Sequence, residues 1–523
     1  MKPRAHASVL ARYPGMCVTP SLQMVFKGEK PRPVLAPVGP APKIANSCQH
    51  PSRGNCAMAA IGRHLQRSVP CNNESNDPCR SAQAMHRRSR KAKSLGCLGA
   101  RLATIIPFMS KHSTPRGAAF RKAWRAIVPP SLLKYGQPAA IALGLRHLKA
   151  ALAHGEPTPT PGPLIVSGLL AGRKGVSRAA HLTIEGFRVA GHSPVAHDLS
   201  PLFNSNSEQV GRLPVLQPGG VWLLHVNAPE AIAAMSRIKS PDWLGRYRIA
   251  YWAYELPRAP AMWVAASAVF HEIWAPSRFV SEALIAAGVQ TPVRVMPHPV
   301  TLARRPAVDH ASGDEFIVLA MGDLTSSATR KNLIGAIKIY KRAFPQETHG
   351  TRLILKVQSD DHDPKFREAA LAVAGGRQDI VFRTGSLSDA EIDQLIAAAT
   401  VLLSPHRSEG FGLAIAEAFL AGVPSLATGW SGNMDFMETL PELLIAHTQV
   451  PVRDPGRIYR AADLNWAEPD VDDAAQKLRA LAASPTLRRE LARRGKACLQ
   501  VQAEMWSRDA LASMPIGRLL DDA

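Results

Sequence analysis

From Leu164 onward the chain alternates short apolar runs with amphipathic stretches, and this alternation constrains the fold more than any other feature. Short apolar runs bounded by turn formers read as buried strands, and longer stretches of helical period read as helices. A first series places strands at Leu164–Leu170, Val221–Val226, Arg248–Tyr254, Ala268–Ala275 and Val293–Met296, with helices over Val176–Ala190, Pro229–Arg237 and Arg278–Ala287. Met296-Pro-His-Pro-Val300 is a proline-stiffened junction. A second series begins at Glu315, with strands at Phe316–Met321, Arg352–Val357, Ile380–Arg383, Val401–Ser404, Ser425–Thr428 and Leu443–Ile445. Its helices are Lys331–Phe344, Lys365–Ala374, Asp389–Ala399, Gly412–Ala421 and Asp473–Ala483, and a last helix falls near Arg508–Leu520. Strands alternating with helices imply parallel, doubly wound sheets. The expected fold class is therefore α/β, with two Rossmann-like domains over 161–300 and 301–504 whose sheets face each other across a cleft.

The segment before Leu164 differs in kind. The chain carries a net charge of +22, yet residues 1–150 hold 25 Lys and Arg against three acids, Glu29, Glu74 and Asp77, so the whole excess lies there. A basic balance confined to one segment argues against a nucleic-acid function for the rest. Residues 1–117 show no sustained period and combine low hydrophobicity with high charge, the pattern of a poorly ordered extension. Three readings fit it: a basic tail for anionic membrane or nucleic acid, an inert extension, or upstream sequence ahead of a true start at Met85 or Met109. In the segment 118–160, residues 118–155 alternate apolar and basic side chains, which suits a docked helix or a helix lying on a membrane surface. The segment ends in the stiff Pro-rich linker Glu156–Pro163.

Of the seven cysteines only Cys498 lies outside the first hundred residues, and none has metal-motif spacing. No apolar run approaches the roughly 20 residues that span a bilayer, and Met1-Lys-Pro-Arg-Ala-His lacks the apolar core of a signal peptide. These features place the protein in the cytoplasm, with peripheral contact at the inner face of the membrane as the further expectation.

One stretch carries most of the chemistry. After the strand Val401–Ser404, Gly410 and Gly412 open a helix whose apolar residues Leu413, Ala416, Phe419 and Leu420 recur at helical spacing. Glycine allows a ligand close to the backbone, and the free N–H groups of a first helical turn favour an anion. Glu409 precedes the helix and Glu417 lies about two turns in, so each can meet a different part of an extended ligand. A phosphate at the helix start with hydroxyl-rich groups on either side describes a nucleotide-sugar. Strand–glycine–helix alone, with solvated glutamates, fits many α/β proteins equally well.

Arg330 and Lys331 follow another strand and fall in the expected first turn of a helix, where cations oppose the helix dipole and so ask for an anion. Ala171–Ser177 is a glycine loop between strand and helix, though not a G-x-G-x-x-G fingerprint. Ser359-Asp-Asp-His-Asp363 offers ligand atoms but reads as a loop and helix cap, and no metal is assigned. His225 and His298, near strand ends, read as structural.

The spelling goes further than the spacing. Glu409-Gly-Phe-Gly-Leu with Glu417, then Ala421-Gly-Val-Pro and Gly429-Trp-Ser-Gly-Asn-Met-Asp435, closely resembles the donor-site signature of retaining glycosyltransferases of the GT-B fold, family 4. The likeness runs from residue 160 to the end of the chain. It implies that residues 505–523 cross back to the first domain as a helix. It also gives Glu417 to the nucleotide ribose, Glu409 to hydroxyls of the transferred sugar, and the Gly410, Phe411, Gly412 and Leu413 backbone to sugar or phosphate. Gly172 and Gly175 would border the phosphates from the opposite domain, and Lys331 would grip the diphosphate with Arg330 beside it. Where many members have an arginine after the strand glycine, this chain has Asp323, so Arg330 or Ser327 takes that part. Glu255 stands at or beside the place of a family histidine near the sugar.

The implied activity is transfer of a hexose, with retention, from a nucleoside-diphosphate sugar to a hydroxyl of a glycan or lipid-linked acceptor in polysaccharide or lipopolysaccharide synthesis. It needs no cofactor or metal. Trp430–Phe436 resembles members that transfer mannose, which puts GDP-mannose ahead of a UDP-hexose as donor. The competing readings are a nucleotide-sugar-binding protein without turnover, a nucleotide-sugar epimerase of the same fold, and nucleic-acid binding through the basic N-terminus.

Overall fold

The computed structural model describes residues 130–520, apart from 173–174, 204–211, 216, 301–314, 360–362, 457 and 460. The basic extension 1–117, the two alternative starts and the front of the 118–160 segment lie outside the described residues.

Six strands form the first sheet: β1 (Leu164–Gly168), β2 (Val195–Asp198), β3 (Val221–His225), β4 (Tyr247–Tyr251), β5 (Glu272–Ala275) and β6 (Val293–Val295). All pairings are parallel, in the order β2-β1-β3-β4-β5-β6. β1 and β3 are buried along their whole length, because helices cover both faces of a parallel sheet. The second sheet contains β7 (Phe316–Asp323), β8 (Thr351–Gln358), β9 (Ile380–Thr384), β10 (Val401–Ser404), β11 (Ser425–Thr428) and β12 (Leu444–Ile445). It is also parallel throughout, in the order β12-β11-β10-β7-β8-β9. β13 (His447–Pro451) and β14 (Asn465–Pro469) form a separate antiparallel pair.

Strand order locates the functional ends. A crevice opens outside the carboxyl ends of the strands where the order reverses. In the first sheet that point lies between β1 and β3, and in the second between β7 and β10. The residues just beyond these four strands are Leu169–Gly175, Val226–Asn227, Leu324–Asn332 and Pro405–Gly412. Three of these segments hold residues that the sequence singles out.

The helix Pro130–Ala153 docks on the first sheet layer, where Leu145 and Leu148 join a core cluster with Ile232 and Met235 of the helix Ala228–Met235. The Pro-rich linker after it is extended but not a free spacer. Glu156 pairs with Arg248, Gly220 donates to Thr160 O at 2.7 Å, and Gly162 bridges to Leu520. Among the described residues no helix is long and apolar enough to cross a membrane.

Three expectations about elements need correction, and one long helix goes unforeseen. The helix expected over Lys331–Phe344 is broken at Asn332, whose φ of 53° is left-handed, leaving Ala328–Lys331 and Leu333–Ala343. The strand expected from Ala268 starts only at Glu272, after a helix over Ala261–Ser267. The last helix is three short turns, Glu504–Trp506, Arg508–Ala512 and Pro515–Arg518, because Ser507 and Met514 are extended between them. These turns do return to the first domain: Trp506, Leu511 and Ile516 pack with Val166, Ile184 and Phe187, and Trp506 Nε1 donates to Pro297 O at 2.6 Å. The 19-residue helix Pro485–Ala503 was not anticipated, since its mean character is strongly polar and its buried face is only Leu491, Ala492, Gly495 and Leu499.

Candidate active site

β7 ends at Asp323, whose carboxylate accepts from Thr325 N at 3.0 Å and caps the turn Leu324–Ser326. Asp323 is thus spent on local structure. Ser327 follows with a φ of 74°, an uncommon conformation for a residue with a side chain, and its hydroxyl makes two bonds that hold it there. It accepts from Arg330 N at 3.1 Å and donates to Asp454 Oδ1 at 2.9 Å. Asn332 Nδ2 donates to Pro405 O at 2.9 Å, and Arg407 N donates to Arg330 O at 2.8 Å, so the ends of β7 and β10 are laced together.

This lacing delivers two cations to Glu409. Lys331 Nζ lies 2.5 Å from Glu409 Oε1, and Arg330 Nη1 donates to Glu409 Oε2 at 3.2 Å and to Ser408 O at 2.7 Å. Burial alone would raise the Glu409 pKa, but Lys331 and Arg330 outweigh it and hold the carboxyl down at about 2. Burial likewise opposes the charge on Arg330, and neighbouring Tyr459, Glu409 and Glu255 reverse that and raise its pKa. His406, fully buried beside this triad, is pushed down to about 4 by burial and stays neutral. The cations therefore sit in the last turn of a short helix, not in the first turn of a long one, and ion pairing with Glu409 is what stabilises them. Arg330 is only 2% exposed, under the ring of Tyr459, whereas the Lys331 side chain is 24% exposed and remains the more accessible of the two.

The glycine stretch is fixed by the Gly429–Asp435 run. Ser431 Oγ accepts from Glu409 N at 2.8 Å, and Gly432 N donates to Glu409 O at 3.0 Å. A Cβ on Gly432 would stand 2.2 Å from Gly410 O, so the two turns can stack only with glycine there. Gly412 has a φ of 98° and opens the helix Leu413–Leu420. The Phe411 ring is buried, edge-on to His298 at 5.0 Å, and Gly410 O accepts from Ser277 Oγ of the first domain at 2.6 Å. His225 and His298 are both buried and bonded, to Thr183 and Tyr251 respectively, and burial lowers both pKa values, His298 to about 3.

Glu417 stands in a second cluster. Arg178, on the first-domain helix Gly175–Val189, donates from Nε to Glu417 Oε1 at 3.1 Å. The same guanidinium reaches Asp389 at 2.7 Å and Asp393 at 3.3 Å. Gly172 and Gly175 lie exposed at the start of that helix, so the first-domain glycine loop borders the Glu417 helix through Arg178. Glu255 also meets the second domain: its Oε2 accepts from Tyr459 OH at 2.8 Å, and its Oε1 is 3.8 Å from Arg330 Nη2. Asp363 accepts from Phe366 N at 3.1 Å and caps the helix Pro364–Ala374. Among the described residues no group of three or more His, Cys, Asp or Glu side chains is arranged to hold a metal ion.

The structure thus gathers Ser327, Arg330, Lys331, Glu409 and Glu255 into one network, with Gly410–Leu413 continuing from it, and puts Glu417 in a neighbouring one. Sequence reasoning missed Arg178, Ser277 and Tyr459. For Arg178 a signal was available, since a cation four residues into a helix opposes the dipole. Ser277 reads locally only as the N-cap of the helix Arg278–Ala287 and Tyr459 carries no local signal, so their place in the site appears only when the domains meet. A surface recess lined by Glu347, His349, Arg352 and Asp379 lies at the amino ends of β7–β9, the opposite end of the sheet from this site.

Two parallel doubly wound domains, facing at their switch points, with a C-terminal segment returning to the first, define the GT-B architecture. Residues 277–510, a little under half of the chain, match the model of Family 4 Glycosyltransferase in conflict systems. Over that span the chain is similar to family 4 glycosyltransferases, in line with the resemblance of its Glu409–Asp435 signature. No curated protein matches. Three solved structures illustrate a distant similarity. HepE of Anabaena, with UDP and glucose, is 14% identical, with 67% of this chain and 99% of that one covered at a TM-score of 0.45. TarM of S. aureus is 11% identical, with 57% and 55% covered at 0.42. The pneumococcal O-GlcNAc transferase GtfA, with UDP and GlcNAc, is 14% identical, with 55% and 56% covered at 0.39. The chain thus spans little more than half the length of TarM and GtfA.

Proposed function

We propose that the protein transfers a hexose, with retention of configuration and without a metal or cofactor, from a nucleoside-diphosphate sugar to a hydroxyl of a glycan or lipid-linked acceptor. The observation that carries this reading is the pairing of Lys331 and Arg330 with Glu409 at the switch point of the second sheet. An ammonium has three donors, so Lys331 can hold Glu409 and a diphosphate oxygen together. Positive charge fixed where the leaving group develops negative charge lowers the barrier to its departure.

In the proposed step the bond from the anomeric carbon to the diphosphate oxygen breaks while the acceptor oxygen bonds to the same face of that carbon. The acceptor proton passes to the leaving phosphate oxygen. Glu409 orients sugar hydroxyls, Glu417 accepts from the ribose, and the Gly410–Leu413 backbone faces sugar and phosphate. GDP-mannose is the first donor in this reading and a UDP-hexose the second, and polysaccharide or lipopolysaccharide synthesis is the setting, with peripheral contact at the membrane. The test is NMR of the sugar first released when the full chain is given GDP-mannose, UDP-glucose and related donors. The retained anomer is expected. The inverted anomer would overturn the retaining mechanism, and an isomerised nucleotide-sugar formed without acceptor would favour an epimerase.

A further inference from the structure

Glu255 and Arg330 have opposite charges and stand 3.8 Å apart, yet they do not close to a hydrogen bond. Among the described residues the one hydrogen bond to the Glu255 carboxylate is from Tyr459, whose hydroxyl donates to Oε2 at 2.8 Å. Tyr459 belongs to the loop between β13 and β14, and its ring lies over the Arg330 guanidinium with 5.9 Å from Cζ to the ring centroid. The described residues around it are firmly held. Asp454 accepts from Ile458 N and Tyr459 N at 2.9 and 3.0 Å, and from Ser327 Oγ on the turn that carries Arg330. Tyr459 also packs in an apolar cluster with Leu256, Val452 and Trp466, which joins the loop to the first domain next to Glu255.

Without the phenol, the Glu255 carboxylate would keep no hydrogen bond among the described residues, and its attraction to Arg330 would draw the two together. A carboxylate and a guanidinium gain a planar, two-pronged bond when they close fully, and the residual gap is about 1 Å. Arg330 would then be shared between Glu255 and the Ser408–Glu409 loop, and Glu255 would turn away from its place between the domains.

We infer that Tyr459 is a positioning residue that holds Glu255 off Arg330, keeping Glu255 available to the reacting groups and Arg330 committed to the Glu409 loop. The consequence for turnover rests on the proposed function, but the positioning itself does not.

The test is the crystal structure of the full chain carrying Tyr459→Phe beside that of the wild type, since phenylalanine keeps the ring over Arg330 and removes only the hydroxyl. The Glu255 carboxylate is expected to move to hydrogen-bond distance of Arg330. A Glu255 unmoved from its wild-type place would overturn the inference. Kinetics then separate positioning from mere structure. Tyr459→Phe is expected to lower kcat roughly tenfold with the donor KM changed less than about threefold. Adding it to Glu255→Gln should cost no more than Glu255→Gln alone. Losses that multiply in the double variant would contradict the inference. A wild type that turns over no donor would contradict the proposed function and leave the crystallographic result to decide this one.

Discussion

Arg178 and Glu417 meet across the two domains, Nε to Oε1 at 3.1 Å, and Asp389 and Asp393 hold the same guanidinium. Glu417 is only 6% exposed in this arrangement, so the ribose contact proposed for its carboxylate requires that what covers it be displaced. Burial would lower the Arg178 pKa, and Glu417 with the two aspartates raises it instead.

Replacing Arg178 by alanine takes a cation from a buried glutamate and leaves three carboxylates facing one another. The expected loss of stability is about 1–3 kcal/mol, read as a lower urea midpoint at neutral pH. An unchanged midpoint would show that the pairing is as weak as an ordinary surface ion pair.

Glu417→Ala is expected to weaken donor binding by about 1–3 kcal/mol, because ribose hydroxyls lose their acceptor. Calorimetric titration with GDP and UDP measures it. Equal affinity in variant and wild type would remove Glu417 from the nucleotide site.

Glu409 gives the fold a pH dependence of definite sign. Its folded pKa of about 2 lies below that of an unfolded glutamate, so the Lys331 and Arg330 pairing stabilises the protein above about pH 4.5 and is lost as pH falls through 2. The contribution is roughly 3 kcal/mol at neutral pH. Glu409→Gln should therefore be less stable than wild type at pH 7, with the gap closing toward pH 2. A gap that stays constant over that range would mean the carboxylate is not held by these cations.

Periodicity made both sheets legible, because buried parallel strands such as Leu164–Gly168 and Val401–Ser404 each open with three consecutive buried apolar residues. It failed where neighbours override local preference. Asn332 breaks a helix that Leu333–Ala343 would otherwise extend, since its side chain is needed at Pro405 O. The strand Val195–Asp198 escaped because it lies at a sheet edge, with no residue fully buried and two polar positions in four. Within the site, Lys331 and Glu409 were named from local spelling, and their contact bridges 78 positions of the sequence. The partners from the other domain, Arg178 at Glu417 and Ser277 at Gly410, depend on how the two sheets face each other, which no local pattern encodes.

Donor hydrolysis by the full chain, with EDTA present and GDP-mannose, UDP-glucose and their relatives screened together, tests the account most directly. One donor should be hydrolysed in EDTA, with turnover falling at least about a hundredfold in Lys331→Ala as one transition-state charge contact is removed. A folded wild type that neither binds nor hydrolyses any of these donors, or a Lys331→Ala variant with near-normal turnover, would contradict the assignment of Lys331, held by Glu409, to the donor diphosphate.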